Sequence, residues 1–593
     1  MTDRIRRYFS KGRLAVITVL TVMMAPLFLS VAQRQGAERA SFAPQVPSAD
    51  RAAGNRVFLE HADVLRKVDT DSFMILVGNV FFTKGPMYMY CDSCHYYPDT
   101  ESMEAFGNIR MEQGDTLFVY ADELVYDGRP DVEIATLYAD DGKKVRLINK
   151  DVQLETDVFI YDLKLDLGYY NVGGVLTDAS NRLTSLEGEY MPSTKEANFY
   201  TNVHLNSRSE TDTLDIFTDT LYYNTALHLA ELNAFSTIIN ARGTIYTRRG
   251  EYLTDSNICT LTERPLIVTN QNQTLIADSV YYNHNAGYAE AFGNMELTDS
   301  ANSSQVCGEY GFYDEIRDSS YVTGRALVKE FSQGGDTLYL HGRQIESFIE
   351  LDTTFIAADT IAGTPERFVV DTCHIMQVYP RVRFFRSDLQ GVCDSMRFTQ
   401  RDSMLRMYVN PVVWSEGQQI FGNVIELHLN DSTFDRATLP EFGFAAQEIE
   451  GDHFNQIAGK EMIAYFVDRE LRHIDINGNV EIIMYPEEAD STVNKIVNAE
   501  SSFLSADFKG RTTERIKMWP ETNGTATPLF MAKRSLFYLP KFRWFEEMRP
   551  VSPEDVFVIP EFMDEIMSGA ERPANKTKNT SGNMPLNPST APL

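Results

Sequence analysis

Several features are scarce in this chain of 593 residues. It has only 3 Trp and 6 Cys, too few cysteines for a disulfide framework in a chain of this length. It contains no G-x-x-x-x-G-K-[ST], no G-x-S-x-G and no H-E-x-x-H motif, and little helical periodicity. We therefore expect no enzyme, no catalytic or metal-binding residues and no cofactor. The fold must depend mainly on its apolar core.

Positive charge is also in short supply. The chain has 54 Lys and Arg against 84 Asp and Glu, a formal net charge of −30. Nucleic-acid binding needs a basic face, so nucleic acid is excluded as a partner. Electrostatic docking on an anionic membrane surface is disfavoured for the same reason. Solubility alone explains an acidic surface.

The N-terminus has the composition of an export signal. Basic residues up to Arg13 precede an uncharged apolar run, Leu14 to Ala32, which ends in small residues. This order predicts a signal peptide over residues 1–32, and an uncleaved N-terminal anchor is the alternative. Both interpretations place the remaining chain outside the cytoplasm. Residues 33–55 are expected to form a flexible tether.

A short phrase, Gly-Asn followed by an apolar residue, recurs along the chain. Its copies begin at Gly78, Gly107, Gly293, Gly422 and Gly478. Apolar residues then alternate with polar ones, as in Val80 and Phe82, Ile109 and Met111, and Met295 and Leu297. This period of two predicts strands with one buried face. The copy at Gly422 is weaker, because Glu426 interrupts its alternation.

A second phrase places Asp between a small residue and an alternating apolar and aromatic pair. Its copies are "ADELVY" from Ala121, "TDTLYY" from Thr218, "ADSVYY" from Ala277 and "CDSMRF" from Cys393. The apolar residue follows the Asp by two positions and the aromatic by four, so both share one face of a strand. We expect that face to be buried. A repeated Asp could form a carboxylate array, but a structural residue at the strand entry is the favoured interpretation.

The phrases recur at a period of about 30 residues, which is typical of a solenoid. The steps from Asp92 to Asp122 and from Asp278 to Glu309 are 30 and 31 residues. Each unit holds strands that cannot bury their apolar face alone, so the units must stack. We expect solenoid repeats over 56–440, further β repeats over 441–550, a short helix within 551–568 and a disordered tail over 569–593.

Cys91, Cys94 and His95 spell C-x-x-C-H, the attachment pattern of c-type haem. The same residues form one more copy of the second phrase, with Asp92 as its Asp and Tyr96 as its aromatic. On a regular strand Cys91 and Cys94 point to opposite faces and His95 points outward. We therefore favour a strand over a haem site.

One basic and aromatic stretch, residues 380–388, stands out in this acidic chain. It fits contact with a phosphorylated headgroup, but an ordinary exposed strand face is the favoured interpretation.

These phrases, behind an export signal, resemble the OstA/LptA family of periplasmic lipopolysaccharide-transport proteins of Gram-negative bacteria. The resemblance covers most of residues 56–510. The stretches "VRFFRSDLQGVCDSM", "NPVVW" and "FNQIAGKEMIAYF" resemble the long OstA-like proteins of the Bacteroidetes lineage. The resemblance implies an all-β fold, a stacked antiparallel V-shaped or jelly-roll β-solenoid with an apolar interior, extended here by many repeats.

The resemblance also implies a function. A periplasmic protein of this kind carries lipopolysaccharide towards the outer membrane within a trans-envelope bridge, with the lipid A acyl chains inside. The interior residues expected to contact lipid are Val80, Phe82, Ile109, Met111, Met295 and Leu297. Partners would be other lipopolysaccharide-transport proteins, joined through edge strands; a homo-oligomer and association with the inner or outer membrane stay open. The alternative is a structural or adhesive β-solenoid with a closed core.

Overall fold

The computed structural model describes residues 56–67, 72–208, 213–331, 336–356, 367–415, 417–430, 433–451, 453–467, 470–488, 492–509 and 512–560. The expected signal, tether and tail lie outside these ranges. Within them the chain is almost entirely β-strand, as the period-two patterns predict. None of the helices found there is long and apolar enough to cross a membrane.

Forty-six strands follow one another along the described chain. The first sixteen are β1 Phe58–His61, β2 Val64–Lys67, β3 Met74–Lys84, β4 Met87–Tyr97, β5 Ser102–Gln113, β6 Leu117–Asp127, β7 Ile134–Tyr138, β8 Val145–Asn149, β9 Val152–Thr156, β10 Val158–Asp162, β11 Leu167–Tyr170, β12 Gly174–Thr177, β13 Asn181–Ser185, β14 Glu187–Met191, β15 Glu196–Arg208 and β16 Thr213–Asn224. The next fifteen are β17 Leu229–Leu232, β18 Ser236–Asn240, β19 Gly243–Thr247, β20 Arg249–Leu253, β21 Ile258–Thr262, β22 Leu266–Thr269, β23 Gln273–Ile276, β24 Ser279–Asn283, β25 Tyr288–Asp299, β26 Ser304–Asp314, β27 Ser319–Thr323, β28 Leu327–Phe331, β29 Thr337–His341, β30 Gln344–Ile356 and β31 Arg367–Tyr379. The last fifteen are β32 Val382–Arg386, β33 Leu389–Cys393, β34 Ser395–Thr399, β35 Met404–Tyr408, β36 Val412–Ser415, β37 Gln418–Gly422, β38 Val424–Asn430, β39 Thr433–Leu439, β40 Gly443–Glu450, β41 His453–Gly459, β42 Glu461–Val467, β43 Glu470–Met484, β44 Lys495–Lys509, β45 Thr512–Trp519 and β46 Asn523–Pro528.

The described residues group into two units. Those within Met1–Leu338 and Arg343–Gln377 form unit 1, and those within Tyr339–Gly342 and Val378–Leu593 form unit 2. The strand pairs with a described register are all antiparallel. The fold is therefore an all-β, stacked antiparallel solenoid, as expected.

Unit 1 contains two ladders of strands that run side by side. Long strands such as β5 contribute one half to each ladder, because residues 109–113 and 102–106 pair with different halves of β6. Shorter strands belong to one ladder only, as when β6 pairs with β8 through residues 117–120 and with β7 through residues 123–127. The inward faces of the two ladders pack against each other and share one apolar core.

Two consecutive residues with positive φ mark bends, either within a long strand or between two successive short strands. Eight such pairs occur among the described residues: 78–79, 107–108, 201–202, 263–264, 293–294, 324–325, 409–410 and 478–479. Four of them are predicted Gly-Asn copies, in which Gly and Asn tolerate the left-handed conformation best. The copy at Gly422 has no positive φ, which agrees with its weaker pattern.

The repeated Asp stabilises these bends. The Asn79 side-chain amide donates to Asp63, that of Asn108 to Asp92 and that of Asn294 to Asp278, at 2.8 to 3.0 Å and always 16 residues apart. Each of these Asp side chains accepts from the Asn of the bend on the neighbouring strand. At these three bends the Asp and Asn residues form one structural unit, and a structural role for the Asp of the other copies stays a prediction.

The last part of unit 2 is not made of strands. The last strand ends at Pro528, and residues 529–560 contain four short 3-10 helices and no strand. These are η1 Leu529–Met531, η2 Arg534–Leu536, η3 Glu546–Met548 and η4 Pro553–Phe557. We call residues 529–560 the strap. Within the expected helix 551–568, the described residues contain only the five residues of η4.

Candidate functional site

An unbroken row of apolar side chains crosses unit 1; all but Phe82 at its start are aliphatic, and all but Ile245, Ile267, Leu275 and Val328 are buried. We call it the aliphatic row. Its members face one another in register, strand after strand, from β3 to β28. The row is Phe82, Met89, Met111, Val119, Leu147, Leu154, Leu176, Leu183, Leu205, Ile216, Ile238, Ile245, Ile267, Leu275, Leu297, Val306 and Val328. Strands lie about 4.8 Å apart, so this aliphatic row extends over roughly 75 to 80 Å.

The structure buries all six residues that the sequence singled out for the interior. Phe82, Met111 and Leu297 belong to the aliphatic row, and Val80, Ile109 and Met295 follow the bends directly. The alternation in sequence therefore predicted the buried face correctly. Contact of these residues with lipid stays a prediction.

The interior is filled with side chains and leaves little empty space. One apolar cavity of about 40 Å³ lies near the first strands, lined by Val57, Phe82, Met89, Met111, Leu124 and Tyr126 among others. A cavity of about 150 Å³ is needed to hold one benzene molecule. An acyl chain can therefore enter only if side chains rearrange or the two ladders move apart.

A second row, in the other ladder, alternates tyrosine with smaller residues. Its tyrosines, the tyrosine row, are Tyr96, Tyr126, Tyr161, Tyr190, Tyr223, Tyr252, Tyr282 and Tyr313. Between them stand Met103, Ala135, Gly168, Ala197, Ala230, Cys259 and Ala289. A large ring on every second strand leaves room only for a small neighbour, because the interior is close-packed.

Several hydroxyl groups of the tyrosine row bond to polar groups at the ends of the first ladder. Lys84 donates to the Tyr126 hydroxyl at 2.9 Å, and Asn149 donates to that of Tyr190 at 3.0 Å. Arg242 donates to Tyr282 at 2.5 Å. These bonds hold the two ladders together along one edge of the interior, which we call the tyrosine seam.

The seam is most deeply buried at Tyr223. Its hydroxyl donates to Asp178 Oδ2 at 2.5 Å and accepts from the side chain of Asn181 at 2.8 Å. All three residues are buried. Burial, together with the hydrogen bond to Asp178, raises the pKa of Tyr223, so this phenol stays protonated. The Tyr223 hydroxyl is therefore paired with Asp178 and Asn181, whereas Asn181 Oδ1 is buried without a hydrogen-bond partner in the described part of the chain.

The C-x-x-C-H residues form a bend, and one expectation about them was wrong. Cys91 and Cys94 both face the interior, because the strand changes phase around Asp92, where it bends. Both are free thiols, and contact with Cys91 and burial raise the pKa of Cys94. His95 lies on the outer side, half-exposed beside Glu104. The expectation of opposite faces failed because it assumed a regular strand.

The basic stretch 380–388 is not an exposed strand face. Val382, Arg383 and Phe384 of β32 are all buried. Among the described residues, no three His, Cys, Asp or Glu side chains are grouped so that they could hold a metal ion.

These features define a class: an antiparallel β-solenoid of two ladders around an apolar interior, bent at Asp–Asn pairs. Residues 54–211 match the family model described as OstA-like protein. The match confirms the resemblance found in the sequence for residues 54–211, and the resemblance of the later repeats stays a prediction. No curated protein matches the sequence of the chain.

Among the solved structures that match is the crystal structure of LptH from Pseudomonas aeruginosa. It is described as the LptA homologous periplasmic component of the conserved lipopolysaccharide transport device. The match has 11% identity, covers 28% of this chain and 81% of the LptH chain, and has a TM-score of 0.12. A TM-score of 0.12 does not define the fold, which follows from the strand pairing described above.

Proposed function

We propose that unit 1 binds lipopolysaccharide in the periplasm and passes it towards the outer membrane, with the acyl chains along the aliphatic row. The continuity of that row is the observation that carries the proposal. Its members occupy equivalent positions on successive strands. The OstA-like match over residues 54–211 supports the same function. No catalytic step is part of it.

Uniformity of the row suits movement of a lipid. Each buried methylene contributes about 0.8 kcal/mol, so an acyl chain gains similar free energy at every position along equivalent aliphatic side chains. Such a path has no deep trap. The phosphorylated sugars would stay outside the apolar interior, because burial of a charge without a partner is costly.

Entry of a chain requires the interior to open, and the tyrosine seam is the edge where we expect this. The bonds there join side chains of two different ladders, whereas backbone pairing within each ladder is continuous. Side-chain hydrogen bonds contribute about 1 kcal/mol each, so they can be exchanged for water at moderate cost.

The first strands are suited to pairing with another protein of the transport system. β1 and β2 have only four residues each, and among the described strands both pair with β3 alone. Phe58, Val64 and Leu65 are exposed there. Unpaired strand edges bind other strands, so we place the partner contact at this end.

Photo-crosslinking tests the proposed function. A crosslinking residue at Phe82 or Met111 should capture lipopolysaccharide in cells that export it, and mass spectrometry identifies the adduct. The control is Arg110, which precedes Met111 and is exposed. Equal capture at Arg110, or none at Met111 in folded protein, would favour the alternative of a structural solenoid with a closed core.

A further inference from the structure

The interior of unit 2 contains a row of amide side chains where unit 1 has aliphatic ones. Strand pairing places Gln390, Trp414, Gln419, Ala446, Gln456, Ile483 and Asn498 next to each other in this order. Every second member is thus Gln or Asn. Gln390, Gln419 and Gln456 are at most 2% exposed. Buried amides of this kind need hydrogen-bond partners.

The strap supplies those partners, largely through its backbone. Gln456 donates to the Phe537 carbonyl at 2.7 Å and accepts from the Leu539 N–H at 2.9 Å. Gln419 repeats the pattern, donating to the Arg543 carbonyl at 2.8 Å and accepting from the Phe545 N–H at 2.7 Å. Each of these two glutamines makes both bonds to main-chain atoms of the strap, so the contact does not depend on the strap's side chains.

The contacts continue at both ends of the row. Asn498 donates to the Leu536 carbonyl at 2.9 Å, and Arg549 donates to Gln390 Oε1 at 2.9 Å. Arg383, whose pKa burial lowers to about 10, donates to the Asp555 carbonyl at 3.1 Å. The strap therefore runs across the strands, and it meets unit 2 at residues 537, 543, 549 and 555, six residues apart.

From residue 537 to residue 549, six strap residues correspond to two strands of the sheet, from Gln456 to Gln419 and from Gln419 to Gln390. Two strand spacings are about 9.6 Å, so the strap advances about 1.6 Å per residue, far less than an extended strand. Its short 3-10 helices account for this compactness. Between the amide contacts its aromatic side chains enter the core: the Phe545 ring lies 5.3 Å from Phe421 and the Phe542 ring 6.2 Å from Phe444.

We propose that the interior of unit 2 is a polypeptide-binding groove, filled by the strap of the same chain, and that it does not take acyl chains. An acyl chain in place of the strap would remove both strap partners of Gln419 and of Gln456 and the Arg549 donor to Gln390 Oε1. Of the partners within the described ranges, Gln456 would keep only its Phe454 carbonyl and Gln390 only its Arg386 and Ser387 carbonyls, and each lost bond is costly. The part that concerns lipid rests on the proposed function of unit 1. The ligand class of unit 2 is a peptide that presents a main-chain acceptor and donor to Gln456 and again, six residues later, to Gln419.

A cut strap tests the peptide groove in the full chain. A protease site at Phe530 and Met531, both exposed, allows cleavage after folding. We expect the strap to stay bound to the cut protein and to exchange with a labelled synthetic peptide of residues 532–560. Gln419→Leu and Gln456→Leu should each speed strap loss at least about tenfold, because main-chain groups of the strap lose their partners.

The neighbouring Gln418 is the matched control. It is exposed on the same strand, so Gln418→Leu should leave strap loss unchanged. Circular dichroism checks that all variants keep their strands. Immediate release of the wild-type strap after cleavage, or equal effects of the substitutions at 418 and 419, would overturn the proposal.

A crosslinker at Phe444 separates this proposal from the proposed function. Phe444 is buried beside the strap, so it should capture strap residues and no lipopolysaccharide. Capture of lipopolysaccharide at Phe444 would overturn the exclusion of acyl chains. Absence of capture at Met111, with strap capture intact at Phe444, would instead remove the proposed function and leave the peptide groove standing.

Discussion

Replacement of Tyr223 by phenylalanine removes one buried hydroxyl from the tyrosine seam and keeps the ring. Asp178 loses the 2.5 Å bond from this hydroxyl, and Asn181 loses one acceptor. Asp178 keeps its bonds from the backbone N–H groups of Ser180 and Asn181. A hydrogen bond to a charged group contributes about 1.5 to 3 kcal/mol, so Tyr223→Phe should lower local stability by about that amount.

Tyr222 provides the control on the adjacent position. Its hydroxyl donates to Glu196 at 3.0 Å on the outer face, where water can replace it. Tyr222→Phe should therefore change stability by less than about 0.5 kcal/mol. Both variants remove a tyrosine hydroxyl from β16, and they differ only in whether that hydroxyl lies on the inner or the outer face of the strand.

Hydrogen exchange under native conditions is the suitable assay, because long repeat arrays open locally rather than all at once. Amides of β13 and β16 should exchange roughly 10- to 150-fold faster in Tyr223→Phe, the equivalent of 1.5 to 3 kcal/mol. Exchange in Tyr222→Phe should stay near wild type. Equal exchange in the two variants would refute the claim that the seam joins the two ladders.

Three further substitutions test other parts of the structure. Gly293 and Gly142 both have positive φ, but only at Gly293 would a Cβ lie 2.4 Å from Asp278 Oδ2. Gly142→Ala should destabilise the protein by about 1 to 2 kcal/mol, and Gly293→Ala by more. Equal effects of the two substitutions in thermal unfolding would contradict the close approach of Asp278 to Gly293 at this bend. Burial lowers the pKa of His473, but its bonds to Asp507 and Asp475 outweigh burial and raise it. The stabilisation is complete below the unfolded pKa of about 6.5 and is lost as pH rises through the folded value. Protection factors of amides in β43 and β44, which are corrected for the intrinsic pH dependence of exchange, should therefore be higher at pH 6 than at pH 8, and His473→Gln should remove this difference. Cys94→Val should lower the free energy of unfolding in urea by less than about 1.5 kcal/mol, because Val280 occupies the corresponding position at another bend. The wild-type protein should acquire no covalent haem when it is expressed with a haem-attachment system.

The sequence predicted the bends only where Gly and Asn mark them. The 16-residue spacing that joins Asp278 to Asn294 can be read directly from the sequence. The bends at 201–202, 263–264, 324–325 and 409–410 share no such phrase. Three of these pairs contain one Gly or Asn, and only the pair at 263–264 has neither, so a single permissive residue without the full phrase was too weak a signal.

The inward rows were predictable in part. The aromatic four positions after the Asp is buried as predicted at Tyr126 and Tyr223, but Tyr282 and Phe398 at the same position are only partly buried. The alternation of Tyr with small residues depends on register between strands, which sequence spacing does not define. The buried Gln419 and Gln456 were missed, because Gln is usually exposed and their partners lie 80 or more residues later in the strap.

Crosslinking at successive positions of the aliphatic row tests the central claim most directly. The crosslinker is placed at Met111, Leu205 or Leu297, and the controls are the outward neighbours Arg110, His204 and Glu296. The continuous path predicts capture of lipopolysaccharide at all three inward positions and at none of the outward ones. Capture at Met111 alone, or equal capture on both faces, would contradict a continuous apolar path through unit 1.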